Sequence, residues 1–149
     1  MERPKSPPRM NVFLLFIITI VTAAIFMPIW FLRRKDWLNR LSATKKLGSR
    51  LAIFVLVIYC IAAILLFVPL EVLKYEAWEG IDNLIALVGG IIIVILAFRV
   101  RRILIEHFNE KLGMNISFSG AGTFFFTILY LQYKMNRLPI SGETSGDVA

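Results

Sequence analysis

Three stretches of this chain run without a charged side chain, from Asn11 to Leu32, from Leu51 to Leu70 and from Asn83 to Phe98, and they limit the fold more than any other feature. As a helix rising about 1.5 Å per residue, the first would extend roughly 33 Å, against a hydrocarbon core of about 30 Å. Hydrophobic residues make up 58% of the 149, where a soluble domain of this size holds about 45–50%. The excess is gathered into blocks, which is the pattern of membrane spans rather than of a rich core. The expected fold is all-α and integral to a membrane, with three to four membrane helices. These are placed at about 11–32, 51–70 and 81–98, with a short or re-entrant fourth at 116–133. A cytoplasmic amphipathic helix is expected at 99–112. A single membrane domain, 11–138, lies between disordered tails at 1–10 and 139–149, both rich in Pro, Gly, Ser or charge.

Local features refine this picture. Arg33-Arg34-Lys35 follows the first segment at once, and its apolar run exceeds that of a signal peptide, so the segment is expected to be retained. Pro28 should kink this helix or end it early. Gly89-Gly90, mid-way along the third segment, is expected at a close helix contact. Val100, Ile103, Leu104, Phe108 and Leu112 share one stripe at helical spacing, so 99–112 would lie at headgroup depth or continue the third segment outward. Ser117 to Gly122 reads as a flexible turn. Asn39-Arg40-Leu41 after the first segment is echoed by Asn136-Arg137-Leu138 after the fourth. A parallel repeat would put both Asn-Arg pairs on one face, which four simple spans cannot do.

Seventeen Lys and Arg against ten Asp and Glu give a net charge of +7. The basic runs flank apolar segments and no nucleic-acid-binding signature accompanies them, so nucleic acid is not an expected partner. The positive-inside rule instead places 33–50 and 99–115 in the cytoplasm and the acidic connection 71–80 outside. Four spans would divide the seventeen cations eleven to six, whereas crossing by the second and third segments alone would divide them sixteen to one. The stronger bias hints that the outer two segments enter and return. Trp30, Trp37, Tyr75 and Trp78 are expected as interface anchors. Arg33, Arg34, Lys35, Arg99, Arg101 and Arg102 form two clusters at segment ends, suited to the phosphates of anionic lipids.

Little catalytic chemistry is on offer. No ionisable residue lies inside the three long segments, which argues against an ion-coupled transporter or an intramembrane protease. His107, with Glu106 beside it and Glu110 three residues on, could begin a metal site but not complete one, and a solvated polar face is expected there. Cys60 is expected as a buried small hydrophobe. Gly120-Ala121-Gly122 lacks the lysine of a phosphate loop, and Asn115-Ile116-Ser117 matches a glycosylation acceptor that is silent on a cytoplasmic face. No cofactor or metal is expected.

Phe26, Pro28, Trp30-Phe31-Leu32-Arg33-Arg34 and Trp37-Leu38-Asn39, with the closing Tyr130-Leu131-Gln132-Tyr133 and Asn136-Arg137, resemble a family of small bacterial multi-pass membrane proteins, a domain of unknown function. Members often carry Gly-Ile-Tyr where this chain has Ala24-Ile25-Phe26. The resemblance implies a bacterial inner membrane and no established activity. Together these readings lead to a non-catalytic membrane module that binds anionic lipid, partner membrane helices or further copies of itself. The alternatives are a small oligomeric channel or carrier, and a lipid-directed enzyme using His107 with Glu106 or Glu110.

Overall fold

The computed structural model describes residues 8–22, 24–41, 43–65 and 75–138, with only the backbone described for 75–79. Five α-helices and one π-helical turn account for most of them, and there is no strand among the described residues. The helices are α1 (Val12–Val21), α2 (Phe26–Arg40), α3 (Arg50–Leu65), α4 (Tyr75–Ile105) and α5 (Gly120–Asn136), with the π-helical Glu106–Lys111 continuing α4. The all-α class expected from the sequence is therefore observed.

The first apolar segment is not one helix. Asn11 caps α1, its side chain accepting from the backbone N–H of Phe13 and Leu14. After ten residues the chain breaks at Thr22 to Ile25 and turns back as α2. Ala24 takes φ 68°, the left-handed region that favours glycine. Thr22 makes the break tolerable: its hydroxyl donates to the Ile18 carbonyl at 2.8 Å and accepts from the Phe26 N–H at 3.2 Å. The Ala24, Ile25 and Met27 N–H groups are taken up by Thr19, Thr22 and Ala24 carbonyls. Such closure leaves these backbone groups paired through the reversal. Pro28 neither kinks nor ends a helix. It falls in the first turn of α2, where a missing N–H deprives no carbonyl of a partner. Beyond Leu32 the chain stays helical to Arg40 rather than opening into a polar loop. The result is a hairpin whose open end is marked by Arg34 reaching the Met10 thioether at 3.7 Å.

The fourth segment also folds on itself. Ser119 caps α5 by accepting from the Gly122 N–H, so the expected flexible turn at 120–122 is instead a helical first turn. Thr127 then leaves helical geometry at φ 37° and ψ −111°. Across that bend the Tyr130 hydroxyl accepts from the Ser119 N–H at 2.7 Å. In a straight helix those residues would lie about 16 Å apart. Gly122 permits the return, since a methyl there would come within 2.9 Å of the Tyr130 ring.

α3 and α4 pack side by side. A methyl at Gly89 would meet the Tyr59 ring at 2.5 Å, whereas nothing lies within 4 Å of that position at Gly90, so only the first of the two glycines sits at a close contact. The expected span 51–70 is described as far as Leu65, and its last residues lie outside the described ones. α4 is longer than expected and already helical at Tyr75, within the stretch read as an acidic connection. By length and apolarity, Gly80–Lys111 is the one helix among the described residues able to cross a membrane. Of the two placements expected for 99–112, the structure has the second: these residues continue the third segment as the tail of α4 and its π-helical turn. Val100, Ile103, Leu104 and Phe108 are buried within the protein, and only Leu112 of that stripe is exposed. Residues 8–10, expected within a disordered tail, are held by α5; residues 1–7 and 139–149 lie outside the described ones.

Candidate functional site

α4 presents Ile95, Arg99 and Arg102 on one face, at the helical spacings of four and three. With Val94, Phe98 and Ile103 they form one wall of a groove of about 590 Å³, and Lys45 and Lys46 complete its lining. The groove is thus lined by four cations and four apolar side chains, with no carboxylate among them.

The two lysines are held there by the loop after α2. The Asn39 amide clamps the Leu47 backbone at two points, accepting from its N–H at 2.6 Å and donating to its carbonyl at 3.0 Å. The Lys46 ammonium donates to the Asn39 and Leu41 carbonyls at 2.8 Å each, placing a cation on the negative end of α2. The Thr44 N–H donates to the Glu106 carboxylate. Hydrogen bonding from Thr44, by its side chain first and its backbone N–H second, holds that carboxyl below its ordinary pKa, with the Lys111 charge a smaller cause. Leu41, Ala43 and Leu47 of this loop are buried. A second Asn clamp, between Asn109 and the Ile116 backbone, steadies the turn beyond the π-helix.

A different cluster joins the open ends of the two hairpins. Gln132 is fully buried. Its carbonyl accepts from the Trp30 indole N–H at 3.1 Å, while its amide donates to the Pro8 carbonyl at 3.1 Å and to the Asn136 side chain at 2.7 Å. Asn136 clamps the Met10 backbone at two points, as Asn39 clamps Leu47. Leu41 and Leu138, the last residues of the two Asn-Arg-Leu triplets, are both buried, and each N–H bonds a carbonyl three residues back. The echo therefore extends to structural role.

The six basic residues singled out from the sequence separate into different roles. Arg99 and Arg102 line the groove. Arg101 is committed elsewhere, donating from Nε and Nη2 to the Phe118 carbonyl at 2.9 and 2.7 Å. Arg34 is only 5% exposed and stacks 4.5 Å above the Trp30 ring. Burial, aided by the Arg33 charge, lowers its pKa to about 10, so it remains a cation at neutral pH. Its Nε has no partner among the described residues. Arg33 is exposed and Lys35 half-buried, and neither lines the groove. Trp30 is fully buried rather than anchored at a surface; Trp37 is half-buried. The side chains of Tyr75 and Trp78 lie outside the described residues.

His107, expected on a solvated face, is 4% exposed and packed edge-on against Phe108. Burial, and secondarily the Lys46 charge, lowers its pKa. Among the described residues no group of three or more His, Cys, Asp and Glu is placed to hold a metal. Cys60 is a free, half-buried thiol.

In the sequence Lys45 and Lys46 are only two cations of a basic loop; the fold brings them to Arg99 and Arg102. In the sequence Gln132 belongs to the closing stretch that carries the resemblance, and Asn136 to that stretch and to the Asn-Arg-Leu echo; their hydrogen bonds to Trp30, Pro8 and Met10 come from the fold. No protein-family model matches the sequence, and comparison with curated proteins and with solved structures gave no match.

Proposed function

We propose that this chain is a membrane-embedded, non-catalytic module that holds anionic lipid headgroups on its basic face. The groove of Lys45, Lys46, Arg99 and Arg102 above Phe98, Ile95 and Val94 carries this reading. Its cations suit a phosphate, each adding about 1 kcal/mol of attraction near an anionic surface, and the guanidinium forks can bond one bidentately. Its apolar wall runs toward the middle of α4, the direction in which acyl chains would extend.

Embedding is supported by the outward side chains. Phe13, Ile20 and Val21 of α1, Ile53, Phe54 and Ile64 of α3, Leu84, Leu87 and Ile91 of α4, and Phe124, Phe125 and Phe126 of α5 are all exposed. A water-soluble monomer rarely exposes contiguous apolar surface beyond a few hundred Å². In this arrangement α4 crosses the bilayer and the charge-free segment 51–70, of which α3 is the described part, crosses beside it, while the α1–α2 and α5 hairpins enter and return on the basic side. Residues 33–50 and 99–115 then face the cytoplasm of a bacterial cell and 71–80 the exterior. Both hairpins open on the cytoplasmic face, so sixteen of the seventeen cations lie there.

The test replaces Lys45, Arg99 and Arg102 together with Gln. At equal protein yield, co-purified phosphatidylglycerol or cardiolipin, measured by mass spectrometry, should fall several-fold. Arg101→Gln should leave lipid content unchanged while lowering stability, because its guanidinium is bound to Phe118. Unchanged lipid content in the triple variant refutes the groove as a headgroup site.

A further inference from the structure

We infer that the two hairpins make this chain a one-leaflet wedge, whose further function is to impose curvature on the membrane, convex on the basic face. The inference rests on the membrane reading above but not on lipid capture by the groove.

The hairpins open on the same face, since Met10 and Asn136 clamp each other and Trp30 bonds Gln132. Their depth is limited. α1 has ten residues, about 15 Å of helix, and the first limb of α5 is shorter still. One leaflet of a roughly 30 Å hydrocarbon core is about that thick. The returning limbs are too short in their apolar parts to reach the far side, because Arg33 follows Phe26 by seven residues and Lys134 follows Thr127 by seven.

The tips are built to stay in hydrocarbon. Val21 is 78% and Phe125 75% exposed, and Ile20, Phe124 and Phe126 extend the same surface with no charge among them. Among the described residues of the first break, the Thr22, Ala24, Ile25 and Met27 N–H groups bond neighbouring carbonyls and the Phe26 N–H bonds the Thr22 hydroxyl. Paired amides lower the cost of placing such a tip in hydrocarbon.

The consequence is an imbalance of area. Four helical limbs, α1, the apolar half of α2 and both limbs of α5, occupy the basic-side leaflet beside α3 and α4, and only the latter two continue into the other. Helices about 10 Å across occupy roughly 80 Å² each, so the excess is on the order of 300 Å² per molecule. The Trp30–Gln132–Asn136 network ties the hairpins together, so the wedge resists being splayed flat. The occupant of the space beneath the tips is lipid of the opposite leaflet. A partner helix or a second copy filling that space would cancel the asymmetry.

The purified full-length chain, reconstituted into phosphatidylcholine vesicles at rising protein-to-lipid ratio, tests this by cryo-electron microscopy. A roughly two-fold smaller mean diameter, or tubules, is expected at high ratio. The Lys45→Gln/Arg99→Gln/Arg102→Gln variant should remodel equally well, because the wedge does not need the groove. A nitroxide label on Val21→Cys, in a Cys60→Ser background, should report mid-bilayer depth. Carbonate-resistant protein in vesicles of unchanged diameter overturns the wedge and leaves the membrane reading standing, as does a Val21 label at the far headgroups. Release of the protein by carbonate overturns both.

Discussion

Replacing Gln132 with Leu should destabilise the fold by about 2 kcal/mol, and the loss should depend on Trp30. Gln132 is fully buried and makes three side-chain bonds, to Trp30, Pro8 and Asn136. A leucine of similar volume strands the buried Trp30 indole N–H at a cost of about 1–3 kcal/mol, and loses two further bonds worth about 0.5–1.5 each. The Pro8 carbonyl is only half-buried and regains water, Asn136 keeps its Met10 partner, and the leucine offsets about 1 kcal/mol through apolar contact. Trp30→Phe keeps an aromatic face for Arg34 while deleting the donor that Gln132→Leu would strand. The double variant should therefore lose less than the sum of the single ones, by more than about 1 kcal/mol. Unfolding by SDS titration in mixed micelles, run for all four members of the cycle, measures this. Additivity to within about 0.5 kcal/mol would refute the buried bond as the link between the hairpins.

Ala24→Gly should stabilise the protein by about 0.5–1 kcal/mol in the same titration, since Ala24 sits at φ 68° where a Cβ is strained. Gly89→Ala should cost about 1–3 kcal/mol by driving a methyl into the Tyr59 ring, and Tyr59→Leu in the same chain should recover most of it. His107 is held neutral by burial, so the native state binds fewer protons than the unfolded one. Stability should therefore be full above about pH 6.5 and drain as pH falls below it, and His107→Gln should flatten that slope in thermal melts across pH. In a Cys60→Ser background, cysteines at Arg9, Lys45 and Arg137 should all label from the cytoplasmic side with an impermeant maleimide, and one at Glu76 from the outside. Labelling of Arg9 and Arg137 from opposite sides would refute the paired hairpins.

The sequence alone determined the helical class, because charge-free apolar blocks of 16–22 residues are longer than a strand and suit a helix. It also set the lopsided charge, and the sixteen-to-one division already favoured outer segments that turn back. It could not locate the turns. A straight and a folded helix bury the same apolar pattern, and the residue that looked like the breaker, Pro28, falls where proline is harmless. The break lies instead at Thr22 to Ile25, where the Thr22 hydroxyl bonds the Ile18 carbonyl as it would in any helix and also takes the Phe26 N–H. The stripe from Val100 to Phe108 was legible as apolar, but sequence does not say whether protein or lipid covers such a stripe, and here protein does. Only tertiary structure separated the arginines: Arg101 is drawn to a carbonyl on the loop before α5, Arg34 lies beneath the N-terminal segment, and Arg99 and Arg102 meet lysines from a distant loop. Charge is a local property of the chain, but its partners are set by helices that meet across long loops.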